Sequence, residues 1–210
     1  MLTVLFEDEH IMVINKPGGV AVEATANNTT VLKDFITTNI MPVHRLDQRV
    51  SGILLLAKTK ESFTVLSEDF RQRKIEKIYK AVVAQQPLQR EATLQHWLLK
   101  DNKQRKSKVF TKPLQHATEA VLHYTVIQSS IKYHLLQITL LTGRFHQIRA
   151  QLAAIGSPIV GDVKYGYKRT TTDGSIFLQS NKITFQHPVT KELMQFELAL
   201  PELWKKYGFE

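Results

Sequence analysis

Residues 44–57 have the sequence HRLDQRVSGILLLA, in which a polar loop leads directly into an apolar strand. Residues 53–57 are far too few to span a membrane and have the length of a buried strand. Asp47 is the only carboxylate of this stretch, and Arg45 and Arg49 each lie two residues away from it. Nearby cations favour the ionised form, so we expect a charged carboxylate that can act as nucleophile or base. The alternative is an Asp that only makes local hydrogen bonds in a turn.

Apolar spacing on both sides of this stretch predicts many strands and about three helices. An acidic turn at residues 7–9 divides an alternating apolar pattern, which predicts an N-terminal hairpin. Thr59 is placed to cap a helix whose apolar face is Phe63, Leu66 and Phe70. Helical spacing is also present at residues 31–36 and 145–155, and strands are predicted at 43–46, 53–57, 78–84, 121–127, 133–140, 176–178, 183–185 and 194–198. Because these elements do not follow a strict βαβα order, we expect a single α+β domain with a mixed, largely antiparallel sheet flanked by helices.

Composition limits the chemistry that the chain can perform. Among 210 residues there are 28 Lys and Arg against 19 Asp and Glu, a formal charge of +9, and no cysteine. Disulfides, thiolate zinc sites, iron–sulfur clusters and thiol nucleophiles are therefore excluded. The charge weakly favours a polyanionic partner. Since the first residues lack a basic and apolar leader, we expect a soluble cytoplasmic protein that does not enter membranes.

Three further segments carry residues suited to chemistry. Tyr79 interrupts a strand of apolar and basic residues, where it could stack on a base, move a proton, or pack with its hydroxyl in water. Arg144 and Arg149 flank the apolar stripe of the helix predicted at 145–155, so each would gain from an anionic partner. The alternative is that both cover apolar surface with their aliphatic stems. Residues 156–166 contain three glycines, a proline and Asp162, which predicts an ordered loop. The loop could serve the site or only the fold.

Two basic runs account for much of the positive charge. Residues 100–112 contain six Lys or Arg and one acid, and residues 71–80 contain five against one. In isolation, such runs are as typical of solvated segments as of phosphate contacts. No apolar periodicity marks residues 100–112 as a packed element, so we expect a loop there.

In this order, the segments closely resemble the RluA-type pseudouridine synthases. The resemblance extends over roughly residues 4 to 200 and implies the pseudouridine synthase fold, with one catalytic domain over residues 1–210 and no S4-type RNA-binding domain in front of it. The matching residues are Asn15-Lys16-Pro17-Gly18-Gly19, His44-Arg45-Leu46-Asp47 with Ser51-Gly52, Lys77, Tyr79, Gly143-Arg144, His146-Gln147-Ile148-Arg149, Gly156, Pro158, Gly161-Asp162 and Tyr165-Gly166.

The resemblance implies an isomerase that converts uridine in RNA to pseudouridine. In that reaction the N1–C1′ bond breaks, the uracil turns, and C5 bonds to C1′, with no cofactor and no metal. Asp47 is implied as the catalytic aspartate, which either attacks the ribose or removes a proton from it. Arg149 is implied as its ion-pair partner, and Tyr79 as the residue that stacks on the uracil and removes the C5 proton.

Contacts to the RNA follow from the same resemblance. Arg45 is implied to hold the extruded nucleotide, which must leave the base stack because C1′ is otherwise inaccessible. Arg144 and Lys77 are implied as phosphate or structural contacts. Given an RNA substrate (tRNA, ribosomal RNA or both), phosphate contact becomes the favoured interpretation of the basic runs, and we assign Lys103, Arg105 and Lys106 to the RNA backbone. We expect a monomer.

Three positions depart from the family pattern, namely Val50, Gln151 and Gln179. Two other classes of protein are considered. A catalytically silent RNA-binding protein would not need a carboxylate in a polyanion site, and an RNA phosphodiesterase normally needs a metal cluster or paired histidines. His116, His123 and His134 lack the spacing of metal ligands. A kinase catalytic loop is rejected, because Leu46 is inserted and no Asp-Phe-Gly follows.

Overall fold

The computed structural model describes residues 2–24, 31–36 and 39–209. Its helices are α1 (Lys60–Arg71), α2 (Gln147–Ala154) and α3 (Glu202–Lys205), with 3₁₀ turns at Leu32–Asp34 and Val163–Tyr165. Its strands are β1 (Thr3–Glu7), β2 (Ile11–Lys16), β3 (Met41–Pro42), β4 (Ser51–Ala57), β5 (Glu76–Val83), β6 (Glu91–Asp101), β7 (Lys106–Phe110), β8 (Thr118–Ser129), β9 (His134–Leu140), β10 (Leu178–Gln186) and β11 (Leu193–Glu197). None of the helices in these ranges is long and apolar enough to cross a membrane.

The chain divides into two compact units. Unit 1 comprises the described residues up to Lys77 together with residues 173–175 and 179–199. Unit 2 comprises residues 78–172, 176–178 and the described residues from Leu200 onward. The Asp47 loop therefore belongs to unit 1, and Arg149 belongs to unit 2.

Unit 1 is built on a mixed sheet in the order β1-β2-β4-β10-β11, with β3 paired to the end of β4. Neighbouring strands are antiparallel except β4 and β10, which run parallel with Gln179 opposite Ser51. β4 is buried from Gly52 to Ala57, as its apolar run predicts for a central strand covered on both faces. α1 inserts Leu66 into the cluster that contains alternate side chains of β4.

Unit 2 is built on antiparallel strands in the order β5-β9-β8-β6-β7. α2 contributes Ala150 to a cluster with Leu98 of β6 and Ala120 of β8. The helix is buried almost all round: Gln147, Arg149 and Gln151 are as inaccessible as its apolar residues. With a mixed sheet of mostly antiparallel strands and few helices, the predicted mixed α+β class is confirmed.

Several predicted elements are wrong in detail. Residues 43–46 form no strand; the Leu55 amide is instead bound by Nε2 of His44 at 3.0 Å, so a side chain replaces a strand carbonyl as the acceptor. Of the strand predicted at 176–178 only Leu178 is in a strand, where it begins β10, and β10 continues without a break through the strand predicted at 183–185. The helical spacing at 31–36 yields only a 3₁₀ turn. In α1, Thr59 caps the helix as predicted, because its hydroxyl accepts from the Ser62 amide, but Phe63 is exposed.

The basic segment 100–112 is not a loop. Residues 91–110 form the hairpin β6–β7, whose strands pair from Trp97 and Phe110 to Asp101 and Lys106. Polar and apolar residues do not alternate regularly along β6, so its sequence does not show the twofold periodicity of a strand. Residues 102–105 form the exposed turn of this hairpin, and residues 111 and 112 follow β7 outside any strand.

Candidate active site

Asp47 lies half-buried in a turn between β3 and β4. The Val50 amide donates to the Asp47 carbonyl at 3.0 Å and closes this turn. A second turn is attached to it by two hydrogen bonds: the Gly19 amide donates to the Gln48 carbonyl at 2.8 Å, and Nε2 of Gln48 donates to the Gly19 carbonyl at 2.9 Å. The backbone that carries the Asp47 carboxylate is therefore fixed from the side of residues 17–20.

Lys16 supports the same loop from inside unit 1. Its ammonium is completely buried and donates to the carbonyls of Pro17 and Val20, both at 2.8 Å, and to that of Gln48 at 3.4 Å. Burial lowers the pKa of Lys16 to about 7, and the charge of Asp47 acts in the opposite direction. Lys16 can therefore exchange between its charged and neutral forms near neutral pH.

The Asp47 loop and the start of β4 also contact residues 174, 175 and 180 of unit 1. Arg49 donates from Nε to the Gly174 carbonyl at 2.6 Å and from Nη2 to the Ser175 carbonyl at 3.4 Å. Gly52 has φ of 116°, and a Cβ there would lie 2.3 Å from the Ser180 carbonyl oxygen. Only glycine allows β4 to approach β10 this closely, so Gly52 determines where the Asp47 loop ends and β4 begins to pair with β10.

The other residues assigned to substrate contact in unit 1 differ in exposure. Arg45 is exposed, and its Nη1 lies 2.9 Å from Oε2 of Glu23, in an ion pair of the kind that contributes little in water. Lys77 is half-buried with Nζ 5.0 Å from the centre of the Phe70 ring, and burial lowers the pKa of Lys77. The His44 ring also packs against Phe70, with the two ring centres 4.6 Å apart. Burial and then the charge of Lys77 lower the pKa of His44 to about 3, so His44 is a neutral acceptor.

Arg149 forms a buried ion pair within unit 2. Its Nε lies 2.6 Å from Oδ2 of Asp162 and its Nη2 lies 2.9 Å from Oδ1, a two-pronged arrangement that matches the planes of both groups. The Arg149 side chain is 5% exposed and that of Asp162 is fully buried. The expectation that Arg149 needs an anionic partner is thus met by Asp162. Its predicted pairing with Asp47 stays a prediction.

Tyr165 joins this ion pair to the hairpin β6–β7. Its ring centre lies 5.1 Å from the guanidinium carbon of Arg149. Its hydroxyl accepts from the Ser107 amide at 2.7 Å and lies 3.0 Å from Nδ1 of His146, the residue before α2. Gly166 follows with φ of 100°, the left-handed conformation that ends the short turn.

The remaining candidates of unit 2 lie on strands and turns. Tyr79 is on β5 opposite Ile138 and is only 6% exposed. Arg144 is exposed, and its Nε donates to the Glu119 carbonyl at 2.9 Å. Lys103 and Arg105 lie in the exposed turn of the hairpin, and Lys106 begins β7.

The family model described as RNA pseudouridylate synthase matches residues 10–154, which is more than half of the chain. The chain belongs to this family. It is an isomerase that acts on RNA.

Two relatives and one solved structure illustrate the similarity. The synthase is 31% identical to the ribosomal large subunit pseudouridine synthase C of Buchnera aphidicola, over 96% of this chain and 68% of the relative. It is 29% identical to the tRNA pseudouridine synthase C of Haemophilus influenzae, over 100% of this chain and 99% of the relative. Human RNA pseudouridylate synthase domain containing 4 has the same fold, with a TM-score of 0.81 at 22% identity, covering 99% of this chain and 94% of the human chain.

Sequence reasoning assigned no role to Lys16, Asp162 or Tyr165 of this synthase. Lysine is rarely buried, so nothing in the Lys16-Pro17-Gly18-Gly19 turn distinguishes a buried ammonium from an exposed one. Asp162 is predicted only as part of an ordered loop and as a residue that matches the family, without a role. A usable signal existed: an arginine predicted beside an apolar stripe needs a carboxylate, and Asp162 is the first one that follows α2.

The three departures from the family pattern all occupy buried structural positions. Gln151 donates from Nε2 to the carbonyls of Leu94 and Ala120, both at 3.1 Å. Gln179 donates to the Ala199 carbonyl at 3.0 Å, and Val50 is packed in the core. Within the described ranges, no group of three or more His, Cys, Asp or Glu residues is arranged to hold a metal ion.

Proposed function

We propose that this synthase isomerises uridines of structured RNA, in tRNA, ribosomal RNA or both, and that Asp47 is its catalytic aspartate. The observation that carries the proposal is the Asp47 loop, in which the carboxylate is half-buried on a backbone fixed by Lys16, Gly19 and Arg49. Positioning of this kind is what a nucleophile or base requires. The relatives named for tRNA and ribosomal RNA support both substrate classes. We assign residues 1–210 to one catalytic domain that works in the cytoplasm as a monomer.

In the proposed reaction, the target nucleotide first leaves the base stack. Asp47 then acts on the ribose, by attack or by removal of a proton, and the N1–C1′ bond breaks. The uracil turns and C5 bonds to C1′. The proton on C5 leaves and N1 gains a proton, so the product is an isomer of the substrate.

Tyr79 is proposed to stack on the uracil and to take the C5 proton. Arg149, which is ion-paired with Asp162, is also proposed to stabilise the Asp47 carboxylate, and Arg45, Arg144 and Lys77 are proposed to hold the nucleotide.

Release of tritium from RNA labelled at C5 of uridine tests this function. We expect release into water together with pseudouridine in the digested RNA, at a limited set of positions in tRNA or ribosomal RNA. A catalytically silent RNA-binding protein would bind the same RNA with no release. Strand cleavage without release would instead identify a phosphodiesterase.

Tyr79 is expected to serve both binding and proton transfer. Tyr79→Phe keeps the ring, so RNA affinity should be retained while turnover slows, because the hydroxyl is lost. Tyr79→Ala should weaken binding of the target uridine by about 5- to 150-fold, the range for one base stacked on an aromatic ring. Both effects are measured as KM and kcat of tritium release.

Tyr124→Phe is the matched control for Tyr79. Tyr124 is also buried in unit 2, and its hydroxyl donates to the Gln89 carbonyl at 3.0 Å, so this variant loses a buried hydroxyl elsewhere. It should turn over like the wild type. Since Tyr79→Ala also creates a cavity, its melting transition must be recorded. Undiminished turnover in both Tyr79 variants would rule out both roles.

The turn of the hairpin β6–β7 is expected to contact RNA phosphates. Changing Lys103, Arg105 and Lys106 to Gln should flatten the plot of log affinity against log salt by up to about 2, since each phosphate contact on a single strand contributes about 0.7. The apparent KM should rise and kcat should stay unchanged, because these residues lie outside the chemistry. Binding titrations at several salt concentrations measure the slope, and an unchanged slope means that the turn is only solvated.

A further inference from the structure

A groove of about 670 Å³ lies in unit 2 between β7 and the turn that contains the second 3₁₀ segment. We call it the β7 groove. Its lining consists of residues 106–110 on one side and residues 163–166 on the other. The volume is within the range of sites that hold small organic ligands.

The lining of the β7 groove combines positive charge with apolar surface. Lys106, Lys108 and Lys164 line it, and none of the lining residues is acidic. Nζ of Lys108 lies 3.1 Å from Oδ2 of Asp101, outside the groove, while the Lys106 ammonium makes no hydrogen bond or ion pair with any residue that the structure describes. Phe110 supplies a half-buried aromatic ring. Ammonium groups next to an aromatic ring suit a nucleotide, which has an anionic phosphate and a flat base.

The two walls of the β7 groove are fastened to each other. Ser107 is buried, its amide donates to the Tyr165 hydroxyl at 2.7 Å, and its hydroxyl donates to the Phe145 carbonyl at 2.5 Å. On the rim, Nζ of Lys164 donates to the Arg105 carbonyl at 3.1 Å. A groove that is already formed binds without the entropic cost of ordering its walls.

The β7 groove is also adjacent to the Arg149–Asp162 ion pair. Tyr165 lines the groove and has its ring against the Arg149 guanidinium. An RNA strand bound in the groove would therefore contact Tyr165, whose ring contacts Arg149, a residue proposed to act in catalysis.

We propose that the β7 groove is a second RNA subsite, which takes an unpaired nucleotide that flanks the target uridine. Its phosphate is bound by Lys106 and Lys164, and its base stacks on Phe110. The inference rests on the proposed function for the presence of RNA, but it concerns binding of a nucleotide that does not react. The subsite affects KM and the salt dependence of binding, and it leaves kcat unchanged.

Competition with a uridine-free oligonucleotide tests the subsite. Pentacytidylate has no uridine to be isomerised, so it reports binding outside the reacting position. We expect Lys106→Gln with Lys164→Gln to weaken its binding and to flatten the salt slope by about 1.4. Phe110→Leu keeps an apolar side chain and loses the aromatic face, and should weaken pentacytidylate binding several-fold at every salt concentration. Lys132→Gln with Lys206→Gln removes two exposed charges of the same unit outside the groove, and should change neither quantity.

The possible outcomes separate the subsite from the function. Suppose that the wild type forms pseudouridine, and that the double lysine variant and Phe110→Leu both bind pentacytidylate with the affinity and the salt slope of the wild type. The subsite is then overturned while the function stands. If inorganic phosphate competes as well as pentacytidylate and Phe110→Leu has no effect, the groove is only an anion site and the proposal is also overturned. If binding depends on the groove lysines and on Phe110 but no pseudouridine forms, the subsite is supported and the proposed function fails.

Discussion

Asp47→Asn is expected to lower kcat by about 10⁴-fold or more, the usual consequence of removing a group that reacts with the substrate. The amide has the shape of the carboxylate but is neither nucleophilic nor basic. The turn is closed by a backbone hydrogen bond and fixed by hydrogen bonds of Gln48 and Arg49, which Asp47→Asn leaves in place. RNA affinity and the melting temperature should therefore stay nearly intact, the latter within about 4 °C, which corresponds to roughly 1 kcal/mol for a chain of this size.

Asp69→Asn is the matched control for Asp47. Asp69 is a carboxylate of the same unit whose Oδ1 lies 3.7 Å from Nζ of Lys74, and its loss should leave turnover unchanged. Tritium release under single-turnover conditions, with RNA binding and thermal unfolding of each variant, decides the matter. Substantial turnover by a folded Asp47→Asn protein would show that another group performs the chemistry.

Removing the Asp47 carboxylate also affects Lys16. The charge of Asp47 raises the pKa of Lys16 against the effect of burial, so Asp47→Asn lowers that pKa further and makes Lys16 more often neutral. The three carbonyls that Lys16 contacts can then receive fewer hydrogen bonds. Any small loss of stability in Asp47→Asn should accordingly be located in the turn of residues 17–20.

The parts of the fold that depend on local patterns could be predicted. β4 is recognisable because a central strand needs apolar residues on both faces, and α1 because Thr59 caps it and Leu66 is spaced for burial. β6 could not be predicted in this way. Its burial alternates, but its inward positions include Ala92 and His96 and its outward positions include Trp97, so hydrophobicity does not follow the strand period.

The candidate site was predictable in its residues and not in its contacts. Asp47 stands out because a lone carboxylate precedes a central strand, and Arg149 because it lies beside an apolar stripe. Asp162 is thirteen residues beyond Arg149, after α2 has ended at Ala154 and the chain has turned at Gly156 and again at Gly161. The path of the loop brings Asp162 back to Arg149, and the spacing of apolar residues in the sequence does not predict that path. Burial of Lys16 is likewise a property of the assembled unit, since three carbonyls from two turns must converge on one ammonium.

Breaking the Arg149–Asp162 pair is expected to have the largest effect on stability. Arg149→Met and Asp162→Asn should each lower the free energy of unfolding by about 3–5 kcal/mol, because each leaves a buried charge without its partner. Met keeps an unbranched apolar side chain but is shorter than Arg and lacks the guanidinium that contacts the Tyr165 ring, so part of its loss reports missing packing. Arg149→Met should also lower turnover, since we propose that the positive charge of Arg149 stabilises the Asp47 carboxylate.

The double variant provides the decisive comparison for this pair. Arg149→Met with Asp162→Asn leaves no stranded charge, so its loss should be smaller than the sum of the single losses by more than about 1 kcal/mol. Both tryptophans of the chain, Trp97 and Trp204, lie in unit 2, so their fluorescence during denaturant titration reports the unit that contains the pair.

An exposed pair serves as the control for burial. In Arg71–Glu68 the side chains are 78% and 36% exposed, and Arg71→Met should leave the free energy of unfolding unchanged within error. The contrast follows from solvation: water replaces the lost partner at Glu68, whereas no water reaches Asp162. If the single losses at Arg149 and Asp162 simply add, the two charges are stabilised independently. Arg149 would then be balanced by another anion, and the predicted partner Asp47 would be the first to examine by the same cycle.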